Sequence, residues 1–352
     1  MPDIAMDNKL LISSSPHFIS GNTTTKIMLT VILALLPSLI AGVVFFGPQA
    51  LMLTAVSVIC CVGFEYLFCK LVKRQSTISD LSAVVTGMLL AMNLPSTTPV
   101  YAVVLGAFVA IVITKMLFGG IGRNFANPAL VGRIVVSLSF TSETTQWVQP
   151  FAYMNGSDAV TSATDAVTSA TVLGQIKNGG VPSVSLLDSF LGLHSGCLGE
   201  VCAVALIAGG ILLMATRVIS PIIPLSFIGT VALGALVAGG DLGQAVTALL
   251  SGDTTGILSL LNGTGIYLMS GGLLIGAFFM ATDYSTSPLT PKGKLIFGIG
   301  CGLITLMIRL FGSMGEGVSF AIVLMNILTP TIDRYSEKKS PFARKEPKKA
   351  KA

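Results

Sequence analysis

Pro95-Ser-Thr-Thr-Pro99 closes an apolar segment, residues 80–94, that is too short to cross a bilayer unaided. A spanning helix needs roughly 20 apolar residues, and proline stops a helix by removing a backbone donor. The same punctuation returns at Pro128, which opens another short apolar segment, 128–140. Non-helical backbone at membrane depth survives only where protein or a water-filled cavity covers it, so both segments are expected to line a cavity. Eight further apolar segments flank them, at 27–46, 50–69, 99–117, 198–214, 220–239, 265–281, 294–311 and 317–333. Composition agrees. The 352 residues are 52% hydrophobic and 11% charged, with a mean hydropathy of +0.83, against about 25% charged residues in a soluble domain.

The pattern predicts an all-α integral membrane protein of about ten transmembrane helices. A shift of 193 residues lays Pro95 on Pro288 and Leu117-Phe118-Gly119 on Leu310-Phe311-Gly312, and Tyr284-Ser-Thr-Ser-Pro288 echoes the opening stretch. Five crossings per half make the copies opposite in topology, so two inverted five-helix repeats are expected, with short or broken helices at matching positions. Those positions are the third and fifth segments against the eighth and tenth. The corresponding divisions are a segment 1–26, repeats at 27–140 and 198–333, a loop at 141–197, and a basic tail at 334–352.

Positive charge sets the orientation. Lys70, Lys73, Arg74, Arg123, Arg217 and Lys292 fall in alternate loops, and the tail adds Arg334, Lys338, Lys339, Arg344, Lys345, Lys348, Lys349 and Lys351. The other loops hold Lys177 beside Asp158, Asp165, Asp188, Asp241 and Asp253. Both termini are therefore expected in the cytoplasm, and the 141–197 loop outside. The N-terminus is polar, without a short apolar stretch and cleavage site, so no signal peptide is expected. The tail suits anionic lipid, and no nucleic-acid partner is expected. The six cysteines, Cys60, Cys61, Cys69, Cys197, Cys202 and Cys301, show no paired ligand spacing, and the two histidines, His17 and His194, are far apart. That argues against zinc or a complete iron–sulfur ligand set, and no metal site is assigned.

Several constellations could carry chemistry. Phe118-Gly-Gly-Ile-Gly-Arg-Asn-Phe-Ala-Asn-Pro128 joins two segments. Its glycines allow close backbone approach, and a helix opening at Pro128 offers free amides. Asn124 and Asn127 can donate and accept together, as a flavin edge requires, although an N-cap would use the same residues. Asp283 could meet a cofactor or cap its own turn. Glu65, Lys115, Arg133, Glu200 and Arg309 lie in or beside the apolar segments, where an unpaired charge is costly. Glu65, Lys115, Glu200 and Arg309 are the ion-pathway candidates, with snorkelling to the headgroups as the bland alternative.

Residues 158–171 read Asp-Ala-Val-Thr-Ser-Ala-Thr twice without a break. The second copy, with Asp165, Thr168, Ser169, Ala170 and Thr171, resembles the signature that flavin transferases read in bacterial respiratory membrane proteins. With Ser14–His17, Asn93-Leu-Pro95, the 118–128 turn, Leu198-Gly-Glu200, Ala281-Thr-Asp283, Ser287-Pro288, Glu316-Gly-Val-Ser-Phe-Ala321 and Asn326, it resembles the D subunits of Rnf ion-translocating ferredoxin:NAD oxidoreductases. Those are homologous to the B subunit of the sodium-pumping NADH:quinone reductase. The resemblance covers nearly the whole chain.

The resemblance implies a flavoprotein of a bacterial or archaeal cytoplasmic membrane that relays single electrons and couples them to Na+ or H+ translocation. It implies FMN esterified to Thr171 by a flavin transferase, with Thr164 as the alternative acceptor. It also implies a second, noncovalent flavin, riboflavin or FMN, near Asn124, Asn127, Pro128 and Asp283. The partners implied are other membrane, flavin and iron–sulfur subunits of an Rnf complex and the lipid bilayer; catalysis would belong to the complex. Val172 stands where proline commonly follows the threonine. Trp147, Phe151 and Tyr153 could stack on the flavin or anchor the loop. The competing readings are a solute or ion channel of inverted-repeat type without redox chemistry, and a purely structural membrane subunit.

Overall fold

The structure, a computed structural model, describes residues 23–75, 77–154, 172–177, 184–238, 254–312 and 316–336. Thr164, Thr171 and the motif residues Asp165, Thr168, Ser169 and Ala170 lie outside the described residues, as do the segment before residue 23 and the tail from residue 337. The apolar helices, in chain order, are α1 Thr24–Phe46, α2 Pro48–Leu71, α3 Ser82–Met92, α4 Val100–Met116, α5 Pro128–Ser139 and α6 Ala203–Ala215. They continue with α7 Ile222–Ala238, α8 Thr254–Met269, α9 Leu273–Met280, α10 Pro291–Phe311 and α11 Val318–Ser336. Among the described residues there is no strand.

By length and composition, α1, α2 and α10 are each able to span a bilayer, and α8 with α9, bent by 67°, passes as a fourth span. The remaining apolar helices α3 to α7 are shorter. Leu33, Ile40, Ile59, Leu225, Leu233 and Met307 stay exposed on the bundle surface. Water would penalise such a belt, while lipid hydrocarbon would not.

Helices pack closely through small residues, as expected where lipid supplies no hydrophobic drive. A Cβ on Gly132 of α5 would lie 2.6 Å from the Gly106 carbonyl oxygen of α4, and one on Gly209 of α6 would lie 2.3 Å from the Ala34 carbonyl oxygen of α1. Within the first half α2 packs on α3 and α4; within the second α7 packs on α10, and α10 on α11. The α1–α6 and α5–α11 contacts join the halves.

Three segments differ from the sequence expectation. Residues 198–202 precede α6 as non-helical chain. Pro95 stops α3, so the carbonyls at its end have no next turn to bond, and this stretch of chain supplies donors: Leu198 N donates to Leu94 O at 3.2 Å and Gly199 N to Met92 O at 2.7 Å. The eighth segment begins earlier, at Thr254, and breaks at Ser270-Gly271-Gly272, where Gly271 takes φ +79°. A side chain resists that backbone conformation and glycine does not. Finally, α11 runs to Ser336, three residues into the stretch assigned to the tail.

Candidate functional site

The loops gather at two ends of the bundle, and each end holds a polar cavity. At the lower end, where α1 and α3 begin, a cavity of about 80 Å³ is lined by Ser82, Lys115, Asn124, Asn127, Pro128 and Asp283, among others. At the upper end a cavity of about 390 Å³ is lined by Arg133, Trp147, Val172, Leu173, His194, Glu200 and Glu316, with several hydroxyl residues.

The lower end is closed by a charge network. The last part of α4, Val109–Met116, is a π-helix, a local widening found often at functional sites. Lys115 sits on it, fully buried. Its Nζ donates to Glu65 Oε2 at 2.6 Å and to Ser82 Oγ at 2.6 Å. Thr77 donates to the other Glu65 oxygen, and Ser82 Oγ donates to Asp80 Oδ1 at 2.5 Å. Lys115 therefore pairs inside the protein and does not snorkel. Asn127 N-caps α5, its Oδ1 accepting from Ala129 N at 3.1 Å, while its Nδ2 donates to Met280 O at 3.2 Å. Both of its polar atoms are used internally. Asn124 differs: its buried Oδ1 has no hydrogen-bond partner among the described residues. Asp283 accepts from Ser285 Oγ at 2.9 Å and Thr286 Oγ1 at 3.3 Å, capping its own turn, and burial raises its pKa.

The upper end draws on the interrupted segments of both halves. Arg133, on α5, donates from Nη1 to Asn93 Oδ1 at 2.9 Å and to Ser319 Oγ at 2.9 Å. From Nη2 it donates to Glu316, whose other oxygen accepts from Gly272 N at the α8–α9 break. Asn93 ends α3, and Glu316 and Ser319 open α11, so the third, fifth, eighth and tenth segments of the sequence meet at one guanidinium. Arg133, which the sequence reading leaves out of the ion-pathway candidates, is the hub. The signal that marks it is an arginine inside a short segment opened by proline.

Glu200 Oε2 accepts from Cys197 N at 3.2 Å. Cys197, Glu200 and Glu316 bring one sulfur and two carboxylates within 4.8 Å, a grouping that sequence spacing does not reveal. The guanidinium of Arg133 already supplies positive charge there. Arg309, on α10, donates to Tyr267 O at 3.0 Å and Ser270 O at 3.0 Å, and its guanidinium lies 4.9 Å from the Tyr267 ring centre. Lys115 and Arg309 thus do different work: one neutralises a carboxylate, the other holds the carbonyls at a helix break.

The loop aromatics divide. Phe151 N donates to Phe45 O at 2.7 Å and the two rings meet edge-on at 5.3 Å. Tyr153 OH donates to Val44 O at 2.9 Å. Both anchor the loop to the end of α1, whereas Trp147 lines the upper cavity. His194 also faces that cavity, 4% exposed, with neither ring nitrogen bonded. Burial depresses its pKa to about 4, which keeps the imidazole neutral at physiological pH.

These features define a multi-pass helical membrane protein with buried charges and a polar cavity at each end. The chain belongs to the NQR2, RnfD, RnfE family, whose profile matches residues 11–341. Over 346 residues it is 42% identical to the D subunit of the Na(+)-translocating ferredoxin:NAD(+) oxidoreductase complex of Acetobacterium woodii, covering 97% of this chain and 98% of that one. It is 39% identical to the D subunit of the proton-translocating ferredoxin:NAD(+) oxidoreductase complex of Clostridium ljungdahlii, covering 94% and 95%. It is 35% identical to the D subunit of an ion-translocating oxidoreductase complex of Escherichia coli, covering 92% and 96%.

Proposed function

We propose that this chain is the flavin-carrying membrane subunit of a redox-driven ion pump of the Rnf type. It carries FMN as a phosphoester on Thr171, with Thr164 as the alternative, after the action of a flavin transferase. It sits in a cytoplasmic membrane with both termini inside and the flavin loop outside, as an inverted pair of five-helix repeats. Other membrane, flavin and iron–sulfur subunits of the complex deliver and remove the electrons. One named relative translocates sodium and another protons, and either ion is compatible with this reading.

The observation that carries this reading is the wall of the upper cavity. Val172 and Leu173, the residues directly after Thr171, are buried and form part of it. A group esterified to Thr171 therefore has a cavity within reach. At about 390 Å³ the volume lies within the range of ligand pockets, roughly 300–1,000 Å³. The donor set also suits a flavin: a half-buried indole, a neutral imidazole with both nitrogens unused, and a row of threonine hydroxyls. Bound there, FMN would supply one-electron chemistry; the protein supplies orientation, dielectric and hydrogen bonds. Trp147 would offer the ring an aromatic contact, and Arg133 with Glu316 would supply fixed charge in the same cavity.

The lower cavity fits a second flavin in chemistry and not in size. Asn124 offers an unused acceptor, yet about 80 Å³ is too small for a three-ring system unless side chains part. Glu65, Lys115, Glu200 and Arg309 are the buried ionisable groups along which an ion path would run.

Peptide mass spectrometry of residues 157–177, after co-expression with a flavin transferase, tests the reading. FMN on Thr171 is expected, and FMN on Thr164 would keep the function and correct the site. An unmodified peptide in the presence of active transferase would overturn it in favour of a channel without redox chemistry.

A further inference from the structure

Among the ionisable groups that line the upper cavity, His194 is the one with its polar atoms unspent. Arg133 is committed to Glu316, Asn93 and Ser319, Glu316 also takes Gly272 N, and Glu200 takes Cys197 N. His194 is only 4% exposed, yet among the described residues neither Nδ1 nor Nε2 meets a partner. Leaving a buried polar atom unmet costs about 1–3 kcal/mol, so both nitrogens favour a hydrogen-bonding group that enters the cavity. Trp147, and Val172 beside the flavin-accepting threonine, line the same cavity.

We propose that His194 is the hydrogen-bonding partner of the flavin ring carried by the adjoining loop, and that it raises the ring's one-electron reduction potential. The proposal rests on the reading that Thr171 is flavinylated. A neutral imidazole presents one donor and one acceptor, and a flavin edge presents both kinds of partner. Among the described residues neither nitrogen is fixed by an acceptor, so either tautomer can turn its N–H toward the ring atom that gains electron density. The electron comes from a one-electron carrier of the complex, an iron–sulfur centre or another flavin. No bond is made or broken, and the ring gains one negative charge that the N–H of His194 meets. Donation to a charged acceptor is the stronger kind of hydrogen bond, so the contact tightens on reduction. His194 is thus a positioning residue rather than a proton carrier.

The test uses the full chain, flavinylated by co-expressed transferase, as native protein and as the His194→Ala and His194→Gln variants. Mass spectrometry of the loop peptide gives FMN occupancy, and spectroelectrochemical titration gives the potential of the covalent flavin. Occupancy is expected to stay the same. His194→Ala is expected to shift the one-electron equilibrium toward the oxidised flavin by up to about tenfold, which corresponds to about 59 mV. His194→Gln keeps a donor and is expected to recover part of that shift, an outcome that loss of packing alone would not give. If both variants carry FMN at the native potential, the proposal is overturned. If native protein carries no FMN, the flavin-carrying reading itself fails, and the peptide measurement reports that separately.

Discussion

The two ends of the bundle bury similar charges and do opposite things with them. At the lower end Lys115 and Glu65 satisfy one another with help from Ser82 and Thr77, around a cavity of about 80 Å³. At the upper end Arg133 is equally committed, but the chain leaves about 390 Å³ beside it and two ring nitrogens of His194 unused. A buried ion pair says little about ligand binding. Room exists at both ends, since a second lower cavity of about 340 Å³, lined by Met214, Arg217, Tyr284 and Lys294 among others, adjoins the first, and Asn124 leaves an acceptor unused there. The upper end differs in bringing a histidine with both ring nitrogens unused beside the residues that follow Thr171.

The largest effects that would sharpen this contrast come from breaking the pairs. Lys115→Met leaves Glu65, fully buried, without a counter-charge and should cost about 3–5 kcal/mol. Adding Glu65→Leu should restore most of that, because a buried pair replaced by apolar groups of similar size is often neutral. Arg133→Met should cost a comparable amount, and Glu316→Leu should not rescue it. Asn93 and Ser319 would still lose their donor. Thermal unfolding in detergent checks all four. Equal rescue at both ends would break the comparison, since it would make the upper end a simple pair like the lower one.

A smaller effect separates the two asparagines of the 118–128 turn. Asn127→Ala removes the α5 cap and the tie to Met280, and should lower stability by about 1–2 kcal/mol. Asn124→Ala removes an oxygen with no partner among the described residues and should leave stability nearly unchanged, as thermal unfolding in detergent would show. An equal loss of stability in both variants would show that Asn124 is spent on the fold as fully as Asn127.

Much of this architecture is legible in the sequence, and the reasons differ by element. Long apolar runs mark α1, α2 and α10 because a bilayer demands length. Pro95 and Pro128 mark the interrupted segments correctly because proline acts locally. The eighth segment is expected among the short or broken ones, but the place of its break, Ser270-Gly271-Gly272, escapes a sequence reading because glycine inside an apolar run weakens a helix without announcing a bend. The non-helical chain at 198–202 escapes it for a different reason: its hydrogen bonds go to the end of α3, about a hundred residues earlier, and no local pattern records a distant acceptor. Asn127 reads equally well as cap or ligand, and only its partners decide. His194 gives no signal at all, since one histidine in a loop acquires meaning only from the cavity it faces.

The central claim is that the flavin carried by the loop occupies the upper cavity. Trp147 is the single tryptophan of the chain, and it lines that cavity. Hydroxyl-radical labelling read by mass spectrometry should therefore be compared between flavinylated protein and the Thr164→Val/Thr171→Val variant. The account predicts that labelling of Trp147 falls several-fold when FMN is attached, while exposed Tyr153, anchored at the end of α1, labels equally in both. Equal labelling of Trp147 with and without FMN would contradict it.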